Sequence, residues 1–278
     1  MPTSVPPPMQ HIILSPHYDD AALSCGGMIA QLTAAGDQVV VATVFGGRAD
    51  PATLSPFARS IHARPGASDD LIAQRAAEEK HALAILGAQS RPGSYLDCIY
   101  RQVEPGGRWL YDREEALFGP VDAADAALVE ELAAVFAVLA PHPNQCTIYA
   151  PLAIGCHVDH QVVQQAALKL LEAGYSLLFY EDYPYVVRDP ADLPAALARI
   201  KTGGGWQPQP VALSRQELDR KIAAVSAYAS QLGVLFGTDG VAAPQDVAGA
   251  LDGFARYTAH GNGSGRFAER FWAVAQAV

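Results

Sequence analysis

Two short stretches of this 278-residue chain concentrate the residue types that hydrolytic metal chemistry uses. The first, "IILSPHYDDAALSCGG" (residues 12–27), places His17, Asp19 and Asp20 at the end of an apolar run. The second, "YAPLAIGCHVDHQVV", ends another apolar run and then supplies His157, Asp159 and His160. Imidazole nitrogen and carboxylate oxygen suit Zn²⁺, and a catalytic zinc has three protein ligands and a position open to water. His17 and Asp20 stand three apart, so a turn can aim both side chains at one point. His157 and His160 repeat that spacing at a helix start. Only one of them need bind the metal, which leaves the other to face a substrate. Asp19 can act as a base beside the ligands, taking the proton from a water whose pKa the metal lowers. Each residue also has a plainer use. Asp19 or Asp20 can cap a helix starting at Ala21, Asp159 reads as a cap or as support for a ligand, and the histidines can lie on the surface. Both clusters together, at matching places in the chain, favour the metal site.

Such clusters need strands to deliver them, because open α/β sheets bind ligands outside the carboxyl ends of their strands. Residues 11–15 read as a first strand and 21–36 as a helix stopped by Gly36. Residues 37–45 form a second strand whose continuous β-branched run suits burial on both faces. A Pro-, Ser- and Gly-rich loop covers 46–68, and a helix over 69–86 is stopped by Gly87. "SYLDCIY" reads as a weaker strand, 121–139 as an alanine-rich helix and 146–152 as a strand. A helix over 158–173 and a strand over 176–182 complete the alternation. This order implies an α/β fold with a mostly parallel sheet and helices on both faces. The last third is less regular, with helices near 214–232 and 244–257 and an apolar tail "RFAERFWAV". Without repeats or a clear linker, residues 1–278 read as a single domain, the first ten forming a flexible arm.

The net charge of −10 argues against nucleic acid as a partner. No apolar run reaches the ~20 residues of a membrane helix, and the N-terminus lacks signal-peptide features, so a cytoplasmic location is expected. Cys25, Cys98, Cys146 and Cys156 form no CxxC pair and read as buried thiols. Cys156, next to a histidine, is an accessory-ligand candidate of low rank. "TGGGWQPQP" is not a dinucleotide fingerprint, since it neither follows a clear strand nor opens a helix. Gly26 and Gly27 lie inside the first helix and would allow close helix–sheet packing.

"SPHYDDAALSCGG" and "HVDH" resemble the two signature motifs of the PIG-L/LmbE-like family of metal-dependent N-deacetylases. Those signatures read (A/S)-P-H-x-D-D or A-H-P-D-D, and H-x-D-H well downstream. "RAAEEKHALAILG", with Arg75, Glu78 and Gly87, is similar to a family helix reading R-x-x-E and ending in L-G. The resemblance covers roughly residues 11–185. It implies a Rossmann-like three-layer fold, a Zn²⁺ ion (with Fe²⁺ or another divalent metal as alternatives), and hydrolysis of an N-acetyl group on an N-acetylglucosamine-type amino sugar or its conjugate. His17, Asp20 and His160 would then be the metal ligands. Asp19 would be the general base for attack of metal-bound water, and the acid that later protonates the amine. His157 would stabilise the oxyanion and help protonate the amine. Two departures stand out. "LAIGC" lacks the tyrosine that some sugar deacetylases of the family place just upstream of H-x-D-H, and Tyr18 replaces a frequent proline. Loops 46–68 (Arg48, Arg59, Arg64), 101–119 (Trp109) and 180–188 are the expected sources of substrate specificity. Arg75 and Glu78 form either a surface pair or an ion pair reaching the site. The expected partner is a small N-acetyl amino-sugar substrate, with a homo-oligomer left open. An amidase acting on a thiol conjugate or an acylated natural product is the alternative. A Rossmann-like nucleotide-binding module is a third reading, against which the missing GxGxxG counts.

Overall fold

A computed structural model of the chain describes residues 9–63, 70–201, 204–237, 244–263 and 265–275. The chain order is β1 (Gln10–Ser15), α1 (Asp20–Ala35), β2 (Gln38–Thr43), α2 (Pro56–His62), α3 (Leu71–Leu86), β3 (Gln89–Pro92), α4 (Glu114–Leu117) and α5 (Ala126–Leu139). Then follow β4 (Cys146–Pro151), α6 (Val158–Glu172), β5 (Leu177–Tyr180), α7 (Asp192–Arg199), β6 (Trp206–Leu213), α8 (Arg215–Ser226), α9 (Ala229–Leu235), α10 (Pro244–Asn262) and β7 (Phe267–Val274).

Among the described residues the strands form one sheet in the order β3-β2-β1-β4-β5-β7-β6. The first five are parallel, with Ile12 of β1 paired to Val40 of β2 and Ile148 of β4. β7 runs antiparallel to both β5 and β6. Side chains alternate across a strand, so both faces of β1 need apolar residues. Ile13 packs with Val39, Val41 and helix α1 on one side. Ile12 and Leu14 pack with Ile148, Phe136 and Val163 on the other, where α5 and α6 lie. That is why the strand reads as an unbroken apolar run. The strand order reverses between β1 and β4, which opens a crevice at their carboxyl ends. The two histidine clusters follow β1 and β4, so topology alone brings them to one crevice.

Several local expectations change. "SYLDCIY" holds a 3₁₀ turn at Cys98–Tyr100, and the edge strand is Gln89–Pro92 instead. That strand is polar and exposed, so it carries no apolar pattern. The loop after β2 contains helix α2, capped by Ser55. The alanine-rich helix begins at Ala126, behind a 3₁₀ turn at Ala123–Asp125. The helix expected at 214–232 is two helices, α8 and α9. The apolar tail is β7, which packs inside the sheet beside β6, a strand that begins in the segment read as a glycine cluster and runs beyond it to Leu213. Residues 1–8 of the expected N-terminal arm and Arg64 lie outside the described residues.

The last third is fastened to α1 by a buried ion pair. Lys221 Nζ and Glu269 Oε1 are 2.6 Å apart, and Glu269 also accepts from the backbone N–H groups of Gly27 (2.9 Å) and Met28 (2.7 Å). A Cβ on Gly27 would come within 2.4 Å of Leu213 Cδ1, and one on Gly26 within 2.8 Å of Lys221 Cγ. The glycine pair therefore admits α8 and the β6–β7 end, rather than the sheet alone. No helix among the described residues is long and apolar enough to cross a membrane.

Candidate active site

The turn after β1 is built by side chains that bond its own backbone. Ser15 Oγ donates to His17 O (2.8 Å) and accepts from Ala21 N (3.1 Å). Asp20 Oδ2 accepts from His17 N at 2.8 Å. Asp19 occupies the N-cap of α1 with φ 96 and ψ −36, a strained conformation for a residue with a Cβ, and its side chain makes no capping bond. Its neighbours hold it there: Asp19 N donates to Glu79 Oε2 (3.2 Å), while Arg75 Nη2 donates to Tyr18 O (2.8 Å) and to Asp19 Oδ2 (3.3 Å). The strain aims the Asp19 carboxylate away from the helix it could have capped. Gly155, before the second cluster, has φ 79, and a Cβ there would meet the Tyr185 ring at 2.6 Å. That ring packs edge-on against His160, 5.6 Å between centroids.

Three atoms converge at the crevice. Asp20 Oδ2 lies 3.3 Å from His17 Nδ1 and 3.4 Å from His160 Nε2. Both imidazoles have their far nitrogen on a buried carboxylate: His17 Nε2 on Asp159 Oδ2 (2.9 Å) and His160 Nδ1 on Asp182 Oδ1 (2.6 Å). An ionised carboxylate only accepts, so each far nitrogen carries a proton, and the near nitrogens are turned toward Asp20, where a bound cation would take their lone pairs in place of a second proton. His160 Nε2 is buried and has no hydrogen-bond partner. Ligating histidines have this arrangement, with the second ring nitrogen bonded to a carboxylate. The donor set fits a divalent ion of the zinc type.

The electrostatics agree with a site that attracts a cation. Burial works against charge on His17, but its bonds to Asp159 and Asp20 hold the imidazole well above its usual range. His160 is likewise pushed up to about 9, burial being outweighed by Asp20 and Asp182. Asp20 is held well below the usual carboxylate range, burial being overcome by His160 and His17. Asp19 is pushed up to about 7, chiefly by burial, with Arg75 opposing. His157 behaves differently. Burial, reinforced by His17, pushes it down to about 3, so its ring is neutral. Its Nδ1 accepts from Asp159 N at 3.3 Å, which puts the ring proton on Nε2 as a donor. The His157 ring lies 5.0 Å from that of His17 and 5.4 Å from that of His160. His17, His157 and His160 can also present nitrogens within 4.8 Å of one another, an alternative ligand trio.

All five expected site residues, His17, Asp19, Asp20, His157 and His160, therefore surround one crevice. Asp159 is not the helix cap. His157 caps α6, and Asp159 turns inward to hold His17. Arg75 reaches the site, whereas Glu78 turns away to Ser230 (Oγ to Oε2, 2.6 Å). The carboxylate facing inward is Glu79, fully buried, with bonds to Asp19 N, Thr43 Oγ1 and Tyr228 OH. Cys156 points to Arg199 Nη1 (3.0 Å) and takes no part in the site. Asp97, whose Oδ2 stands 3.6 Å from His17 Nε2, was missed by sequence reading, as were Asp182, Glu79 and Arg101. Asp97 and Asp182 do lie just past β3 and β5, at carboxyl ends where such residues could have been sought. Beside the site, a cavity of about 490 Å³ is lined by Arg48, Leu54, Tyr95, Tyr100, Arg101 and Trp109, among others.

Comparison with known proteins bears on this arrangement. The PIG-L family model, described as GlcNAc-PI de-N-acetylase, matches residues 12–171. A 2'-N-acetylparomamine deacetylase from Niallia circulans is 33% identical over 189 residues, 63% of this chain and 66% of that protein. One from Streptomyces fradiae is 32% identical over 199 residues, 68% of this chain and 63% of that protein. The match thus spans just under two thirds of the length of these curated relatives. Among solved structures, the zinc-inhibited form of teicoplanin deacetylase Orf2 superposes with a TM-score of 0.78 at 30% identity, covering 95% of this chain and 97% of that one. With a family match over more than half of its length and a deacetylase fold over nearly all of it, the chain belongs to the PIG-L family of de-N-acetylases.

Proposed function

We propose that the protein is a divalent-metal-dependent deacetylase that removes the N-acetyl group from an N-acetylglucosamine-type amino sugar carried on a larger conjugate or natural product. The observation that carries this reading is the convergence of His17 Nδ1, Asp20 Oδ2 and the partnerless His160 Nε2, each histidine backed by its own carboxylate. His17, Asp20 and His160 would hold the ion. When bound, the ion would lower the pKa of water and polarise the acetyl carbonyl. Asp19 accepts the proton of the attacking water, its burial keeping the carboxylate basic enough for the task. The neutral His157 donates its Nε2–H to the carbonyl oxygen as that oxygen gains charge. The C–N bond then breaks, Asp19 returns its proton to the departing amine, and acetate leaves.

The names of the relatives, acetylparomamine and teicoplanin deacetylases, support an acetylated natural product over a free sugar. The cavity beside the site, with Trp109 and Tyr100 in its wall, supports a substrate with a part beyond the sugar. The test is acetate release from N-acetylglucosamine, its aryl glycosides and N-acetylated aminoglycosides, by protein with measured metal content. Stoichiometric metal with acetate release, abolished in His17→Ala and Asp19→Ala, is expected. Undiminished hydrolysis in both variants would overturn the mechanism, and release of larger acids but not acetate would favour the amidase reading.

A further inference from the structure

Arg101 lies outside both motifs, yet its buried guanidinium is held on several sides. Nη1 donates to Asp159 Oδ1 (2.6 Å) and Leu96 O (3.2 Å), and Nη2 to Asp125 Oδ2 (2.9 Å). Tyr111 OH donates to the same Asp125 oxygen (2.8 Å) and accepts from Asp122 N (2.9 Å). The guanidinium carbon stands 5.0 Å from the centroid of the Phe45 ring and 5.3 Å from that of Tyr111. Asp159 is itself fully buried, and its other oxygen meets Cys98 N (3.0 Å) and His17 Nε2 (2.9 Å). The two arms of the planar guanidinium engage different carboxylates, Nη1 on Asp159 and Nη2 on Asp125, so its fixed donor directions hold Asp159 Oδ1 at a set place relative to Asp125, which a point charge cannot do.

We propose that Arg101 is a positioning residue that orients the metal ligand His17 through Asp159, with Asp125, Tyr111 and Phe45 holding the guanidinium in place. This rests on the metal reading above. The chain of contacts runs from the loop carrying Trp109, through Arg101, to the ring that would bind the ion. Arg101 O also accepts from Leu110 N (3.0 Å), and Gln102 bridges to Trp109, so the same residue anchors the loop that walls the neighbouring cavity. Losing the guanidinium would leave Asp159 held through Oδ2 alone, by Cys98 N and His17 Nε2, and so loosen the acceptor that directs the His17 ring. Outer partners of ligating histidines typically contribute about 10–100-fold in metal affinity.

The experiment measures Zn²⁺ affinity by chelator competition in wild type, Arg101→Met, Arg101→Lys, Asp159→Asn and the double variant Arg101→Met/Asp159→Asn. Lys221→Met, which breaks a buried ion pair elsewhere, controls for simple destabilisation. Arg101→Met is expected to weaken Zn²⁺ by about 10–100-fold, Arg101→Lys by less, and Lys221→Met to lower the melting temperature without changing affinity. In the Asp159→Asn background, Arg101→Met should add nothing further. The imidazole N–H proton of His17, followed by NMR in metal-free protein, should lose its downfield position in Arg101→Met. That signal reads the positioning even if the metal assignment fails. Zn²⁺ affinity within twofold of wild type in Arg101→Met, with the NMR signal unmoved, would overturn the proposal. So would full additivity in the double variant. If Arg101→Met does not fold, Asp125→Asn decides: unchanged affinity and an unchanged His17 signal there overturn it equally.

Discussion

Asp182 offers a sharp test of how the site is assembled, because Asp182→Asn keeps its shape and exchanges one acceptor for a donor. In the native site, Oδ1 accepts from His160 Nδ1 (2.6 Å) and Oδ2 from Ile154 N (3.0 Å). Both side chains are almost fully buried, so water cannot repair a mismatch. An asparagine has one acceptor for these two donors. If its oxygen keeps His160, the amide NH₂ faces Ile154 N–H, and an unpaired buried donor costs about 1–3 kcal/mol of stability. If its oxygen keeps Ile154, the NH₂ faces His160 Nδ1, which must then be the lone-pair nitrogen. The ring proton moves to Nε2, the atom aimed at Asp20, and that tautomer cannot ligate a metal. In both cases the carboxylate charge behind His160 is gone. Zn²⁺ affinity should fall by about 10–100-fold, roughly 1.4–2.8 kcal/mol. Chelator competition gives the affinity, and activity titrated with added Zn²⁺ should recover only at higher metal concentration. A folded Asp182→Asn protein whose Zn²⁺ affinity lies within twofold of wild type would refute the role given to His160.

Five further outcomes are expected. Asp19→Asn should lower kcat by about 10²–10⁴-fold with metal binding retained. In wild type, Asp19 must be ionised to accept a proton, so kcat/KM should fall toward acid with a midpoint at or below about 7, since a bound cation lowers the pKa; a profile flat down to pH 4 contradicts a raised Asp19. His157→Ala should lower kcat by about 10²–10³-fold at unchanged metal affinity, whereas loss of the metal would make His157 a ligand. Gly27→Ala forces a methyl group onto Leu213 and Glu269, so denaturant unfolding should show about 1–3 kcal/mol of destabilisation. Trp109→Ala should raise KM for an aryl glycoside of N-acetylglucosamine and leave that of the free sugar unchanged, if the adjacent cavity receives the remainder of the substrate.

Much of this molecule is legible in its sequence, and the reason is periodicity. The strands buried on both faces, β1, β2 and β4, announce themselves as apolar runs, because most of their side chains are buried on one face of the sheet or the other. The residues after β1 and β4 stand out because polar residues at the end of a buried strand have few structural reasons to be there. The edge strand β3 is exposed along its whole length, and nothing in its composition marks it as a strand. Strand β7 is legible as apolar but not as a strand, because its partners β5 and β6 are set by long-range antiparallel pairing.

The local sequence determined which residue types reach the crevice: His17, Asp19 and Asp20 on one turn, His157 and His160 on another. Tertiary structure decided what each does. Asp159 supports His17 instead of capping its own helix, because α6 packs it against Arg101 and Cys98. Glu79, and not Glu78, faces Asp19, because one step along a helix turns a side chain by about 100° and only one of the two can point inward. Asp182 and Arg101 carry no motif of their own. They matter because the reversal of strand order between β1 and β4 gathers distant loops at one end of the sheet. A motif records contacts between neighbours in sequence, whereas the carboxylates behind these histidines are neighbours only in space.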